Sequence, residues 1–203
     1  MLNVVVADTG LGNVRSVVRA LEKASARAKV LVTGDADAIA KADALVVPGQ
    51  GAFRDCATAL SKGGLGEAIK ASIGRGTNYL GICLGMQALF ATSEEAPGCA
   101  GLAIFPGTVV KLRGGPGLKI PHVGWNTVER ARETWVLPQN EYFYFVHSYV
   151  VAPGDPTLAC GKTTHGETFV SALEKDNVAA VQFHPEKSQR AGLALLERFL
   201  SRC

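Results

Sequence analysis

The sharpest chemical feature of the chain is Gly81-Ile82-Cys83-Leu84-Gly85, which follows an apolar run and opens a helical pattern. A nucleophile with glycine two residues away on each side suits a strained strand-to-helix elbow. The small flanking residues permit the sharp turn, and the central side chain is pushed out at the carboxyl end of the strand. The helix starting there presents backbone N–H groups and the positive end of its dipole, which favour negative charge on the sulfur. Such a thiol needs a base. His184 follows the apolar run VAAVQF and is locked into His184-Pro185-Glu186, where Glu186 can fix the imidazole tautomer and favour the imidazolium. Taken singly, the pentapeptide also fits a buried cysteine in a glycine turn, and His-Pro-Glu also fits a surface turn. Both residues stand just past predicted strands of one sheet, however, where open α/β sheets carry their active sites. The combination points to a Cys–His–Glu triad performing acyl transfer. A third loop, Pro48-Gly49-Gln50-Gly51, also follows a strand. Its backbone N–H groups, with that of Leu84, can form an oxyanion hole.

The elements that must position these groups are legible from periodicity. Short apolar, β-branched runs at Leu2–Ala7, Lys29–Thr33, Ala44–Val47 and Asn78–Ile82 read as buried parallel strands. Between them, apolar residues at helical spacing predict helices over Val14–Ala28, Asp35–Lys41, Phe53–Leu60 and Leu65–Ile73. After Pro97 the texture becomes strand-like, at Thr108–Leu112, Thr127–Glu129, Tyr142–Val151, Thr157–Thr163 and Thr168–Leu173, with Gly/Pro/Asn turns between. Val178–Phe183 is a last apolar strand, and Ser188–Leu200 a closing helix, with Ser188 as N-cap and Leu193, Leu196 and Leu200 on one face. The expected architecture is α/β: an open, mostly parallel sheet flanked by helices, with an antiparallel addition in the second half. Residues 1–203 are expected to form a single domain.

Composition excludes several functions. With 47% apolar and 19% charged residues the chain can build an ordinary core. A formal charge of +3 without a basic cluster argues against nucleic acid as a partner. The charge-free stretch Gly76–Ser93 contains Asn78, Gln87 and three glycines, so it reads as strand, turn and helix rather than a membrane span. The opening MLNVVVAD does not have a signal-peptide layout. Five cysteines at scattered spacing, without a CxxC pair, fit neither a disulfide framework nor a zinc site, and the cytoplasm is the expected compartment. Cys56, Cys99, Cys160 and Cys203 read as small core or surface residues. His122 reads as a loop contact, His147 as a structural strand residue and His165 as part of a hairpin turn.

Taken in order, GLGNVRSV, PGQGAF, GICLGMQALF, the SEE that follows, IPHVGWN, YFYFVHSY and FHPEKS resemble the class I, triad-type glutamine amidotransferases over nearly the whole chain. Within them, GNVRS, PHVGWN, FVHSY and HPEKS are most similar to the amidotransferase subunits of imidazole glycerol phosphate synthases. The resemblance implies that Cys83 is the nucleophile, His184 the general base and acid, and Glu186 its orienting partner. It makes Gln50 and Leu84 backbone donors of the oxyanion hole, and Gly51, Gln87, Glu95, Ser148 and Tyr149 the pocket for glutamine, with Glu95 near the α-ammonium. It implies no cofactor and no metal. The ammonia would pass to a (β/α)8 cyclase subunit in a heterodimer, faced by Asn13, Arg15, Trp125, Tyr144 and Lys187. Each of these five also has an ordinary reading: Asn13 as helix cap, Arg15 and Lys187 as solvated charges, Trp125 as core filling and Tyr144 as strand packing. Thr9, where the family often has an aromatic residue, and Gln50, where it often has a small apolar one, depart from the pattern. Other readings stay open: the amidotransferase of another synthase such as pyridoxal phosphate synthase, a catalytically silent regulatory subunit, or a stand-alone cysteine hydrolase.

Overall fold

The computed structural model describes residues 1–115 and 117–203. Runs of apolar residues with little polar alternation become strands covered on both faces: β1 (Leu2–Ala7), β3 (Ala44–Gly49), β4 (Asn78–Cys83) and β12 (Val178–Val181). With the edge strand β2 (Ala28–Thr33) they form a parallel array in the order β2-β1-β3-β4-β12. The sheet continues antiparallel through β11 (Glu167–Lys175), β10 (Ala159–His165), β7 (His122–Arg130) and β8 (Glu141–His147). A branch of β5 (Phe90–Ser93), β6 (Phe105–Lys111) and β9 (Tyr149–Pro153) joins it at β11. The expected parallel sheet with an antiparallel addition is what forms.

The period-2 alternation of a strand divides the core in two. Val4 and Val6 pack with Val17 and Leu21 of α1 (Val14–Ala24) and with Leu195, Leu196 and Phe199 of α6 (Gln189–Ser201). Val5 and Ala7 face the other side, with Ile39 of α2 (Ala36–Ala40), Phe53 of α3 (Phe53–Ser61) and Ile69 of α4 (Leu65–Gly74). Because β1, β3, β4 and β12 run parallel, their carboxyl ends share one edge of the sheet. There Cys83 leads into the one-turn helix α5 (Leu84–Gln87), and His184 into a 3-10 turn at Pro185–Lys187.

Several boundaries differ from expectation. The first helix stops at Ala24, four residues early, and Ser25 is already extended, since the chain must reach β2 by Ala28. Tyr142–Val151 is two strands rather than one, broken at Ser148, and the two pair with different partners. The segment from Thr157 starts as a 3-10 turn at Pro156–Leu158, initiated by Pro156 and capped by Asp155, before β10 begins. Thr127–Glu129 belongs to a longer strand that also contains His122, so His122 is a buried strand residue and not a loop contact. Val178–Phe183 ends as a strand at Val181. Ser188 gives α6 no side-chain cap, because its hydroxyl donates to the His184 carbonyl at 2.6 Å. The buried face of that helix is Leu195, Leu196, Phe199 and Leu200; Leu193 lies outside it. Strand β5 falls where a helix was expected to continue. A further tie has no sequence signature: buried Glu174 accepts from the Thr134 hydroxyl at 2.6 Å, from the amides of Trp135 and Val136, and from Arg132, pinning the irregular segment after β7 to β11.

Candidate active site

The elbow is as tight as its glycines suggest. Cys83 sits at φ 54°, ψ −104°, a conformation that costs an L-residue about 1–3 kcal/mol and persists only where its surroundings enforce it. They do so by contact. A Cβ on Gly81 would lie 2.6 Å from the Gly85 carbonyl oxygen, and one on Gly85 would overlap the Val47 carbonyl oxygen. Strand β3 stays beside β4 up to the pair Gly49–Cys83, so Gln50 emerges next to the sulfur.

On the other side, β12 pairs with β4 up to Val181–Ile82, bringing Gln182 and then His184 beside the elbow. His184 and Glu186 are both buried, and Nδ1 meets Glu186 Oε1 at 2.8 Å. The second ring nitrogen, Nε2, is buried without a well-aligned hydrogen bond, although Cys83 approaches closely enough to act on the ring's charge. Burial pushes the His184 pKa down, but the Cys83 sulfur and the Glu186 carboxylate outweigh it and hold the value up at about 9. These two neighbours favour the imidazolium over the neutral ring.

Cys83, Leu84, Gln50, Gly51, Gln87, Glu95, Ser148 and Tyr149 line one cavity of about 220 Å3, together with Pro121, Val146 and His147. All eight of the first group are candidates from the sequence; the last three are not. The cavity is smaller than the about 300–1,000 Å3 typical for drug-sized ligands and suits a small polar molecule. Glu95 lies at its wall and also accepts the Phe53 amide at 2.8 Å, closing the N-terminus of α3, which has no side-chain cap of its own. Among the described residues no cluster of three or more His, Cys, Asp or Glu is placed to hold a metal.

The floor of the cavity is a hydrogen-bond chain. Gln87 donates to the Tyr149 carbonyl at 3.2 Å and to Gln182 Oε1 at 3.1 Å, and Gln182 Nε2 donates to the Cys83 sulfur at 3.5 Å. The Tyr149 carbonyl also receives His147 Nδ1 at 3.0 Å, and His147 Nε2 meets His122 Nδ1 at 2.9 Å. Asn126 Nδ2 donates to the Thr164 carbonyl and so presents a donor to His122 Nε2 at 3.3 Å. Both rings are therefore neutral with the proton on Nδ1. Burial, then neighbouring imidazoles, hold His122 down at about 4 and His147 at about 3, in keeping with that state. His165 stacks on His122 with ring centroids 4.1 Å apart, so three of the four histidines form one cluster. Sequence reasoning does not find Gln182, His122 and His147 as a connected set. The available signal is Gln182, a polar residue in the otherwise apolar VAAVQF.

A second surface adjoins the site. Trp125, 47% exposed, meets the Tyr144 ring edge-on at 6.2 Å, and Lys187 Nζ lies 5.8 Å from the Tyr144 centroid. Val123 and Tyr142 extend the exposed apolar strip along β7 and β8. Trp125 is thus not core filling. Asn13 and Arg15 are exposed at the start of α1, which packs against the Pro185–Lys187 turn, and Asn13 accepts the Ser16 amide as the helix cap. Thr9 is buried with its hydroxyl unpartnered.

A parallel α/β sheet with a strained cysteine at one strand end and a buried His–Glu pair at another is the frame of a class-I glutamine amidotransferase. The family model of that description, "Glutamine amidotransferase class-I", matches residues 5–203, and the chain belongs to this family. More narrowly, it is 46% identical over 204 residues to the imidazole glycerol phosphate synthase subunit HisH of Syntrophotalea carbinolica, covering 97% of this chain and 98% of that one. It is likewise 46% identical over 201 residues to the subunit HisH of Aquifex aeolicus, covering 98% and 96%. Among solved structures, PurLQS from Thermotoga maritima superposes with TM-score 0.76 at 18% identity, covering all of this chain and 99% of that chain. Another solved glutamine amidotransferase superposes with TM-score 0.74 at 17% identity, covering 98% of this chain and 99% of that chain. These two establish the fold.

Proposed function

We propose that this chain is the glutaminase subunit of an imidazole glycerol phosphate synthase. It hydrolyses glutamine to glutamate and ammonia, and the ammonia passes to a (β/α)8 cyclase subunit that forms imidazole glycerol phosphate and AICAR in histidine biosynthesis. The observation that carries the reading is Cys83, strained at φ 54°, set against a buried His184–Glu186 pair in a chain 46% identical to two HisH subunits along nearly its full length.

Cys83 is the nucleophile. The imidazolium of His184 beside the sulfur favours the thiolate, which attacks the side-chain amide carbon of glutamine to form the S–C bond. The carbonyl oxygen takes the negative charge, and the backbone N–H groups of the Gln50 loop and of Leu84 receive it. His184 gives its Nε2 proton to the amide nitrogen, the C–N bond breaks, and ammonia leaves. The glutamyl thioester is then attacked by water, whose proton returns to His184, and glutamate departs. Glu186 holds the ring with Nε2 toward the sulfur throughout. Glu95 takes the α-ammonium of glutamine, while Gly51, Gln87, Ser148 and Tyr149 line the pocket. No metal or cofactor has a step in this sequence.

Asn13, Arg15, Trp125, Tyr144 and Lys187 face the cyclase in a heterodimer, and the exposed strip around Trp125 supports this, since apolar surface rimmed by charge marks protein partners. The chain acts as one glutamine amidotransferase domain, in the cytoplasm, where its five cysteines stay reduced.

The test is Cys83→Ala in the complex with the cyclase and its nucleotide ligand. Glutamine-dependent product formation should vanish while added ammonia still supports the cyclase; surviving glutamine-dependent synthesis would remove Cys83 from its role. Glutamate release by the chain in isolation should be slow and rise strongly with the liganded cyclase. Vigorous turnover unchanged by the partner would instead identify an independent hydrolase.

A further inference from the structure

Gln182 lies between the two halves of the site, outside the glycine elbow, the Gln50 loop and the His-Pro-Glu turn. It is fully buried, follows the last residue of β12, and is held by its amide N–H on the Ser171 carbonyl at 2.9 Å. Its side chain joins Gln87 to the sulfur of Cys83.

The direction of that link is fixed by chemistry. The Tyr149 carbonyl can only accept, so the Gln87 group facing it must be the amide NH2. The same NH2 faces Gln182 at 3.1 Å, so the Gln182 atom there must be the oxygen. The NH2 of Gln182 is then forced toward Cys83, at 3.5 Å from the sulfur. A flipped amide would set two donors against each other at Gln87. The group beside the sulfur is therefore a donor only. It can stabilise a thiolate, and it cannot take the thiol proton.

The geometry points to Gln182 as a positioning residue for Cys83: its amide donates to the sulfur, favours the thiolate and holds it toward the substrate carbonyl, with Gln87 fixing the orientation of the donor. This rests on the reading of Cys83 as the nucleophile. The charged and titratable groups facing the sulfur are few. They are His184, backed by Glu186, from the turn after β12; Cys56 of α3, whose pKa burial and then Cys83 push up to about 12; and Glu95 across the cavity. His184 in turn acts on His147, adding to the burial that holds that imidazole neutral. Among the described side chains, Gln182 is the one neutral hydrogen-bond donor to the sulfur.

Two variants of the full chain test this, Gln182→Met, which keeps the bulk and loses the donor, and Gln182→Glu, which keeps the acceptor for Gln87 and sets an acceptor against the sulfur. The readout is the rate of iodoacetamide alkylation at Cys83 against pH, followed by mass spectrometry of the Cys83 peptide, so that the other cysteines do not interfere. A hydrogen bond to a charged group corresponds to about a tenfold change or more in the thiolate equilibrium. The midpoint of the alkylation profile should move up by about one pH unit or more in Gln182→Met, and further in Gln182→Glu. In the complex, kcat for glutamine should fall at least tenfold in Gln182→Met with a smaller change in KM. A purely structural residue would lower thermal stability and leave the alkylation midpoint in place; that result, in either variant that folds, overturns the proposal. The outcome is separable from the nucleophile assignment, which Cys83→Ala decides by loss of glutamate release whatever Gln182 does.

Discussion

The main chain of Tyr144 holds the turn that carries His184. The His184 amide donates to the Tyr144 carbonyl at 2.9 Å, the Tyr144 amide donates to the Ser188 hydroxyl at 3.0 Å, and that hydroxyl returns to the His184 carbonyl. The Tyr144 ring meanwhile lies between Trp125 and Lys187 at the exposed strip. One residue of β8 therefore touches the surface proposed for the cyclase and fixes the backbone of the proposed base.

Trp125→Ala should weaken binding of the cyclase about tenfold to a hundredfold, as expected for a large aromatic anchor at an interface centre. The thermal midpoint of the isolated chain should barely change, because nearly half of the side chain is already in water. Titration calorimetry against the cyclase, with a melting curve as control, separates the two effects.

Glu186→Gln removes the carboxylate that helps hold His184 at about 9. The His184 pKa should drop, and with it the alkaline limb of glutamine turnover, which follows loss of the imidazolium. The rate should also fall by about a hundredfold or more, because orientation and charge are lost together. The same pair contributes stability. A folded pKa raised above the unfolded 6.5 gives stabilisation that is complete below pH 6.5 and disappears as pH rises through about 9. Urea midpoints between pH 6 and 10 should slope downward in the parent chain and less so in the variant.

The neutral His122–His147 pair works in the opposite sense. Its folded values of about 4 and about 3 lie below 6.5, so the unfolded chain takes up protons first as the solution is acidified. The contribution is present above pH 6.5 and is lost as pH falls through the folded values. His147→Asn should flatten the fall in urea midpoint between pH 6.5 and 4.

Gly85→Ala should be among the most damaging single-methyl changes in the chain, since the added carbon overlaps the Val47 carbonyl of the neighbouring strand. Backbone cannot yield as a side chain tip can, so a loss of about 3 kcal/mol or more in urea unfolding is expected. Gly63→Ala is a suitable control with a positive φ, 58°, and nothing within 4 Å of the added carbon.

Much of the site is legible in the sequence because it is local. Gly81-Ile82-Cys83-Leu84-Gly85 encodes its own turn, and the apolar strands before Gln50, Cys83 and His184 encode a parallel sheet whose carboxyl ends share an edge. What the sequence hides depends on partners distant along the chain. Tyr142–Val151 reads as one strand until Ser148 is seen to divide a segment paired with β7 from one paired with β6. Ser188 fits an N-cap by residue type, but its hydroxyl goes to His184 instead. His122 belongs to a buried cluster only because β7, β8 and β10 bring His147 and His165 against it.

The sequence by itself determined the parallel sheet, the three loops at its active edge and the identity of the triad candidates, since each rests on the type and spacing of nearby residues. Only the tertiary structure decided the charge states and directions within the site. Gln182 becomes a donor to Cys83 through Gln87 and Tyr149, 95 and 62 residues apart in their bonded pairs, and His184 is held at about 9 by two groups that burial brings against it. Hydrogen-bond polarity and pKa depend on distance in space and on exclusion of water, and spacing along the chain encodes neither.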